Sequence, residues 1–529
     1  MPGVSAAGAT MARPRARLAR LGTARLALSL PKALMALAFL VGVSLALRTQ
    51  AIHARFWIDE GLSVGIASHP LLDIPGLLRE DGSPPLYYLL LSVWTDVFGS
   101  GEGDTHAMSV GFALLMVPTA WLAARTLFGD RAAWIAALLA AINPFLTYYA
   151  QETRMYSLAA LLSTVVVATF VVAFVQGRRR WLPAFGIALA LLAYSHNWGL
   201  FLGIGTLAAL GPLWRASADR RALLRDAAIA YGVAGVLYLP WIPILLSQAR
   251  HTGAPWAEAP KLQDILNGLS ILLGGPAPGM AFALGAGFGL STLLAGPRQS
   301  PRARAALAVA IVAATTLAVA WLASQASPAW SNRYFAVLVG PLLLLGAAGL
   351  ARGGRLGLVV VAILVVFWFN PRTGVLDSKS NAHDVAVLVG DRLERGDLVV
   401  AAHPEQGPVM HYYLPQDIGL RWANAMGPVS DPAMFDWRDA LDRLRAAKPT
   451  PTADALVRTL RPGQKLLLIQ PIIRTARWGA PWTSLVRKRA ARWEQVLDRD
   501  GRLSRTLAAP VLEGKPLPKG VRAVLYERL

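Results

Sequence analysis

Cysteine is absent from the 529-residue chain, which excludes disulfides, thiolate metal sites and thiol nucleophiles. Acidic residues are scarce: 31 Asp and Glu stand against 52 Lys and Arg, a formal net charge of +21. In a water-soluble protein that imbalance would suggest a nucleic-acid partner. Here charged residues make up only 16% of the chain and hydrophobic ones 55%. No P-loop, dinucleotide fingerprint or internal repeat is present. What the sequence has instead is a succession of apolar runs approaching the roughly 20 residues needed to cross a bilayer. Basic clusters fall between them, as GRRR (177–180), an Arg-rich stretch at 215–225, PRQSPRAR (297–304) and ARGGR (351–355). Loops of that kind are retained in the cytoplasm. The charge therefore implies a lipid bilayer as partner and no nucleic acid.

The basic segment 1–30 precedes a first apolar run, Pro31 to Leu47, that lacks a clear small-residue cleavage site. It reads as a retained signal anchor with a cytoplasmic N-terminus. Further spans are expected near 107–126, 132–149, 156–176, 181–195, 198–214, 228–247, 277–296, 304–323, 334–350 and 355–370. With about eleven spans, every Arg cluster lies inside. The short stretch 84–98 opens on Pro84-Pro85, is interrupted by Thr95 and Asp96, and is expected to lie in the interface, since one more crossing would put the first Arg cluster outside. A second interfacial helix is expected at 262–275. The expected fold is thus a polytopic α-helical membrane protein, with a transmembrane domain over 31–370 that includes a large first external loop at 49–106. Residues 371–529 are charged and turn-rich, with β-like runs at Leu398–Ala401, Lys465–Ile469 and Ala523–Tyr526 and helical patterns at 383–394 and 482–498. They read as a small external α/β domain.

The same parity gathers polar residues from distant turns on the external face. Asp59 and Glu60 follow the first span, and Asp81 and the rigid Pro84-Pro85-Leu86-Tyr87-Tyr88 come about twenty residues later. A carboxylate at the rim of a membrane cavity can have its proton affinity raised into the range of a general base. YYAQETRMY supplies Gln151, Glu152, Arg154 and Tyr156 at the mouth of a span, YSHNW supplies His196 and Asn197, and SNRYF supplies Arg333 and Tyr334. An arginine there can pair with a phosphate through two parallel hydrogen bonds, or anchor to headgroups or Glu152. His403 and His411 lack a second ligand at metal-like spacing. No metal ligand is assigned and no cofactor is required, although a divalent metal is compatible with the acids.

These residues resemble the GT-C superfamily of membrane glycosyltransferases, specifically bacterial relatives of dolichyl-phosphate-mannose protein mannosyltransferases and the lipid A aminoarabinose transferase. The matching features are the Asp-Glu pair after span one, PPLYY, YYAQETRMYSL, the HN at a span end, and NRY followed by Pro341, in that order over about 1–370. The resemblance implies a polyprenyl-phosphate sugar donor and an inverting transfer to a glycan, lipid or protein hydroxyl. It places the active site on the external (periplasmic) face of a bacterial-type inner or plasma membrane. Asp59 is then the catalytic base with Glu60 beside it; Arg154, Arg333, Tyr334 and His196 face the donor phosphate; and Asp81, Tyr87, Tyr88, Gln151, Glu152, Tyr156 and Asn197 line the pocket. The chain departs from some relatives in carrying Asp81-Gly82-Ser83 where they have a lysine or histidine before the Pro-Pro, and Thr153-Arg154 where they have an aspartate. The rival reading is a transporter or flippase of a lipid-linked or acidic solute. Transporters place charged groups near the bilayer midplane between related halves, and neither feature is seen here.

Overall fold

The computed structural model describes residues 29–296, 300–369, 376, 379–472, 479–508 and 520–529. Eight helices among them are long and apolar enough to cross a membrane: Leu30–Arg48, Glu102–Phe128, Tyr156–Val175, Trp198–Ala216, Arg220–His251, Pro276–Ala295, Pro301–Ala326 and Asn332–Arg352. The other three expected spans are occupied by the shorter helices Asp130–Ile142, Leu182–Ser195 and Gly354–Trp368, of 13, 14 and 15 residues. The span expected at 132–149 is broken at Asn143, whose side chain caps the short helix Pro144–Tyr149 by accepting from Leu146 N at 3.0 Å. The span expected at 228–247 starts earlier, at Arg220, and turns through Leu239–Trp241, where a proline removes a backbone donor.

Contacts between loops show that the shorter helices also carry the chain from one end of the bundle to the other. At one end Gln176 Nε2 donates to Thr126 O (3.1 Å), Arg179 pairs with Asp226, and Arg131 Nη2 donates to Gly354 O (3.1 Å). A Cβ on Gly129 would lie 3.1 Å from the guanidinium of Arg302 at that same end. At the other end Gln151 Oε1 accepts from Ala51 N (2.6 Å), Gln248 Nε2 donates to Leu78 O (2.8 Å) and Gln325 Nε2 donates to Pro260 O (2.8 Å). The basic loops are thus collected at the end opposite the acids.

The segment after the first span forms helices Ile58–Ala67, Ile74–Asp81 and Leu86–Phe98. The last leaves Val93, Val97 and Phe98 exposed, as an interfacial helix would, and Leu262–Leu272 likewise exposes Leu262, Leu266 and Ile271. The C-terminal region is a mixed six-stranded sheet of β1 (Leu398–Ala401), β2 (Arg421–Asn424), β3 (Gly427–Pro428), β4 (Lys465–Pro471), β5 (Leu503–Ala508) and β6 (Val521–Arg528), in the order β3-β2-β1-β4-β6-β5. β1 runs parallel to β2 and β4, and the remaining pairings are antiparallel. Three of these strands were not evident as β patterns: β2 and β3 are very short, and β5 is largely exposed.

Alternation along the strands divides the core in two. Leu398, Val400, Leu466, Leu468, Val524 and Tyr526 pack with Leu456, Trp482 and Trp493 on one face. Val399, Leu467, Ile469, Ala523 and Leu525 pack with Val385, Val389, Val409 and Met410 on the other. Phe56 and Val64 from the first loop belong to that second core. Helix Ile58–Ala67 can approach so closely because it carries Gly61 and Gly65: a Cβ on Gly61 would lie 2.5 Å from Val409 Cα, and one on Gly65 would lie 1.8 Å from Ala433 O.

Candidate active site

The two acids occupy the first turn of helix Ile58–Ala67. Neighbouring residues of a helix point about 100° apart, and this separates the pair. Asp59 keeps 18% of its side chain exposed, whereas Glu60 keeps none. Glu60 Oε1 accepts from His106 Nε2 (2.7 Å) and Thr153 N (2.9 Å), while Oε2 faces Lys379 Nζ (2.6 Å) and accepts from Trp57 N at 3.3 Å. The other ring nitrogen of His106 lies 2.6 Å from Ile52 O, so both nitrogens face acceptors. Burial alone would raise the Glu60 proton affinity, but the charges of Lys379 and His106 outweigh it and bring the pKa down to about 2. Gln151 belongs to this dry layer as well, with its amide used by Ala51 N and Thr147 O and its backbone carbonyl 3.4 Å from Lys379 Nζ.

Asp59 faces the other way. Its Oδ2 accepts from Arg333 Nη1 at 2.5 Å. The Arg333 guanidinium lies 5.6 Å from the Trp57 ring, 5.4 Å from Trp256 and 5.8 Å from Tyr334, an aromatic enclosure suited to a cation. Arg154 Nη1 donates to Ser63 Oγ (2.9 Å), Tyr88 Oη (3.2 Å) and the Asp59 carbonyl (3.3 Å), and its guanidinium is 6.0 Å from the Tyr156 ring. Arg154 Nε, Arg333 Nε and Tyr156 Oη are buried and have no hydrogen-bond partner among the described residues. Tyr334 meets His196 edge to face at 4.8 Å, and His196 Nδ1 accepts from Trp198 N at 3.1 Å. Burial lowers the His196 pKa to about 3, aided by Arg154 and Arg333, so the ring is neutral. Asn197 Oδ1 beside it lacks a protein partner among the described residues.

Asp81 ends helix Ile74–Asp81 and accepts from Ser83 N through Oδ2 (3.2 Å). The next residue, Gly82, is left-handed at φ 99°, and a Cβ there would meet Thr252 Oγ1 at 2.8 Å, so only glycine fits the turn. Burial raises the Asp81 pKa against the opposing effects of Ser83 and Arg154. Of the tyrosine pair, Tyr88 reaches Arg154 and Tyr87 turns away to Ser109 Oγ (3.2 Å). Glu152 is buried and bonds the Tyr148 side chain.

The structure therefore draws Asp59, Asp81, Tyr88, Arg154, Tyr156, His196, Arg333 and Tyr334 into one polar centre and sets Glu60, Gln151 and Tyr87 in the layer behind it. His106, Thr153, Lys379, Ser63, Trp57 and Trp256 were not singled out from the sequence. Trp57 and Trp256 carried a signal, as aromatics in the two external loops already rich in polar groups; Lys379 carried none. Among the described residues no three His, Asp or Glu side chains are grouped to hold a metal ion. The nearest acids are already engaged, Asp59 by Arg333 and Glu60 by His106 and Lys379.

Residues 82–246 match the family model of dolichyl-phosphate-mannose-protein mannosyltransferases. Over nearly its whole length the chain also follows the crystal structure of ArnT from Cupriavidus metallidurans in the apo state, with TM-score 0.63 and 16% identity over 94% of this chain and 98% of that one. It has the GT-C fold. The ArnT structure bound to undecaprenyl phosphate matches the chain with TM-score 0.62 and 15% identity over the same shares. The Archaeoglobus fulgidus oligosaccharyltransferase tethered with an acceptor peptide matches at TM-score 0.55 and 14% identity, over 87% of this chain and 71% of that one. The same archaeal enzyme has been solved in complex with Zn and sulfate, matching at TM-score 0.51 and 14% identity over 74% of this chain and 63% of that one. No curated protein sequence matches the chain. The GT-C architecture and the eight long apolar helices make this an integral membrane protein.

Proposed function

We propose that the protein is an inverting glycosyltransferase that moves a hexosyl or pentosyl group from a polyprenyl-phosphate donor to a hydroxyl of a glycan, lipid or protein. In this reading the reaction takes place at the external face of a bacterial-type inner or plasma membrane. The observation that carries the proposal is the pairing of a partly open carboxylate, Asp59, with a guanidinium enclosed by aromatic rings, Arg333, next to a second buried guanidinium, Arg154. The relative solved with undecaprenyl phosphate supports the donor class, and the relative tethered with an acceptor peptide supports a protein as one candidate acceptor.

The acceptor oxygen attacks the anomeric carbon from the face opposite the phosphate while its proton passes to the Asp59 carboxylate. The bond from the anomeric carbon to the phosphate oxygen breaks, and polyprenyl phosphate leaves with one more negative charge. Arg154 and Arg333 meet that charge, which is the stabilisation such a transition state requires. A donor phosphate engaging Arg333 competes directly with Asp59, so donor binding frees the carboxylate to accept a proton. Glu60 touches no reacting atom in this scheme and holds the helix that carries Asp59.

The test is to supply membrane vesicles containing the protein with labelled polyprenyl-phosphate sugars. Transfer of label to an acceptor, abolished in Asp59→Asn, is expected. Passage of labelled lipid or solute across the membrane without transfer would replace this reading with the transporter.

A further inference from the structure

Lys379 is buried to 2% exposure, and its ammonium lies outside the polar centre that Asp59 faces. It stands in the connection between helix Gly354–Trp368 of the bundle and helix Ala382–Gly390 of the C-terminal region. We infer that Lys379 is a positioning residue for Asp59, acting through Glu60 and making the C-terminal region part of the active centre.

Glu60 collects donors from four separate stretches of chain: Trp57 from its own helix start, His106 from the second long span, Thr153 from the YYAQETRMY turn, and Lys379. His106 and Thr153 both serve Oε1, so Oε2 is left to Lys379 at 2.6 Å and the long bond from Trp57 N at 3.3 Å. Removing the ammonium leaves one oxygen of a carboxylate nearly unserved where no solvent reaches. Breaking one partner of a buried pair is far costlier than breaking an exposed one. The group relieves this by rotating, by admitting water or by taking up a proton, and each displaces the first turn of helix Ile58–Ala67, where Asp59 is the adjacent residue. Asn381, two residues after Lys379, is bound in turn to the sheet: its Nδ2 donates to Val521 O (2.9 Å) and its Oδ1 accepts from Val521 N (2.6 Å). β6 is thereby tied through Asn381, Lys379 and Glu60 to Asp59. Helix Ile58–Ala67 is held at its other side by Val409 and Ala433 of the same region. A carboxylate that must meet an acceptor hydroxyl in line with the leaving group is sensitive to displacements of an ångström.

The inference rests on the glycosyltransferase reading, so its test has one arm that depends on turnover and one that does not. In the full-length protein, Lys379→Met is expected to lower kcat about 10- to 100-fold, with undecaprenyl phosphate bound within about twofold of the parent. Lys379→Arg, which keeps the charge, should lose only about fivefold. Combined with Glu60→Gln, Lys379→Met should lose no more than the worse single variant, because both act through one contact. Parental kcat in a folded Lys379→Met, or losses that multiply in the double variant, would overturn the inference. If Lys379→Met does not fold, the smaller kcat loss in Lys379→Arg at unchanged undecaprenyl phosphate affinity carries the test, and parental kcat there overturns it. The second arm uses the chain's lack of cysteine: Asp59→Cys labelled with an impermeant maleimide should react several-fold faster when Lys379→Met is added. Equal labelling rates would overturn the positioning role even if no polyprenyl-phosphate sugar is turned over, an outcome that separately defeats the reading it rests on.

Discussion

Asp59 and Glu60 are chemically near-identical neighbours with different surroundings, one partly open and paired with Arg333, the other fully buried against His106 and Lys379. Asp59→Asn preserves shape and the contact to Arg333 but cannot take a proton. Its turnover should fall about 10²–10⁴-fold while donor binding survives. Arg333→Ala should do the reverse, weakening donor binding by about 1.5–3 kcal/mol, the worth of a charge-assisted hydrogen bond. Steady-state kinetics beside a binding isotherm separates these outcomes, and equal donor affinity in Arg333→Ala would remove the phosphate from that side chain. Arg333 is the cleaner probe of the two arginines, because Arg154 also holds Ser63 and Tyr88 and its loss disturbs the helix beneath.

Glu60 has a different signature, in stability against pH. Its folded-state pKa is depressed from 4.5 to about 2. Its contribution is therefore fully present above about pH 4.5 and is lost as pH falls toward 2. Melting temperatures of the parent should drop through that window more steeply than those of Glu60→Gln, which has no carboxylate to protonate. Parallel pH profiles would show that the charge pairing contributes nothing to the fold.

Helix Ile58–Ala67 is where the membrane bundle and the C-terminal sheet share one element. Its polar first turn enters the polar centre, while Val64 and the preceding Phe56 enter the core of the sheet. Gly61 and Gly65 make that arrangement sterically feasible. A methyl group on Gly65 would lie 1.8 Å from the Ala433 carbonyl, a contact that neither backbone can relieve without separating. Gly65→Ala should therefore destabilise the protein by several degrees in melting temperature and lower activity with it. Gly76→Ala, on the neighbouring helix with nothing within 4 Å of the new methyl, should be neutral or slightly stabilising, as Gly to Ala is in an unhindered helix. Similar melting temperatures for the two variants would mean that the close approach is dispensable.

Across the whole molecule, basic loops gather at one end of the bundle and the acids, the aromatic enclosure and the C-terminal sheet at the other. By the positive-inside rule, the proposed orientation puts the basic end in the cytoplasm. Single cysteines in this naturally cysteine-free chain provide the measurement. In intact cells Asp442→Cys, exposed in the C-terminal region, should react with an impermeant thiol reagent, and Ala218→Cys, exposed in a basic loop, should react only after permeabilisation. The opposite pattern would invert the orientation and move the proposed reaction to the cytoplasmic face.

Membrane character, the positions of the crossings and the residues of the polar centre were legible in the sequence, because each rests on something local. Apolar run length reports the bilayer, arginine placement reports sidedness, and an acid or arginine at the end of a run is costly enough in lipid to mark a site. Helix ends were less legible: the break at Asn143 and the extension back to Arg220 depend on capping and packing, which apolar composition does not encode. The small strands β2 and β3 were invisible because two to four residues carry too little alternation to register. The family resemblance already favoured Asp59 over Glu60; only the tertiary structure decided how differently the two are surrounded. Adjacent residues on one helix turn are equivalent in sequence, and their separation into an open carboxylate and a dry, fully paired one is made by His106, Thr153 and Lys379, which lie 46, 93 and 319 positions from Glu60. No local pattern can announce a partner that distant, since the contact exists only once the C-terminal region has folded back onto the first loop.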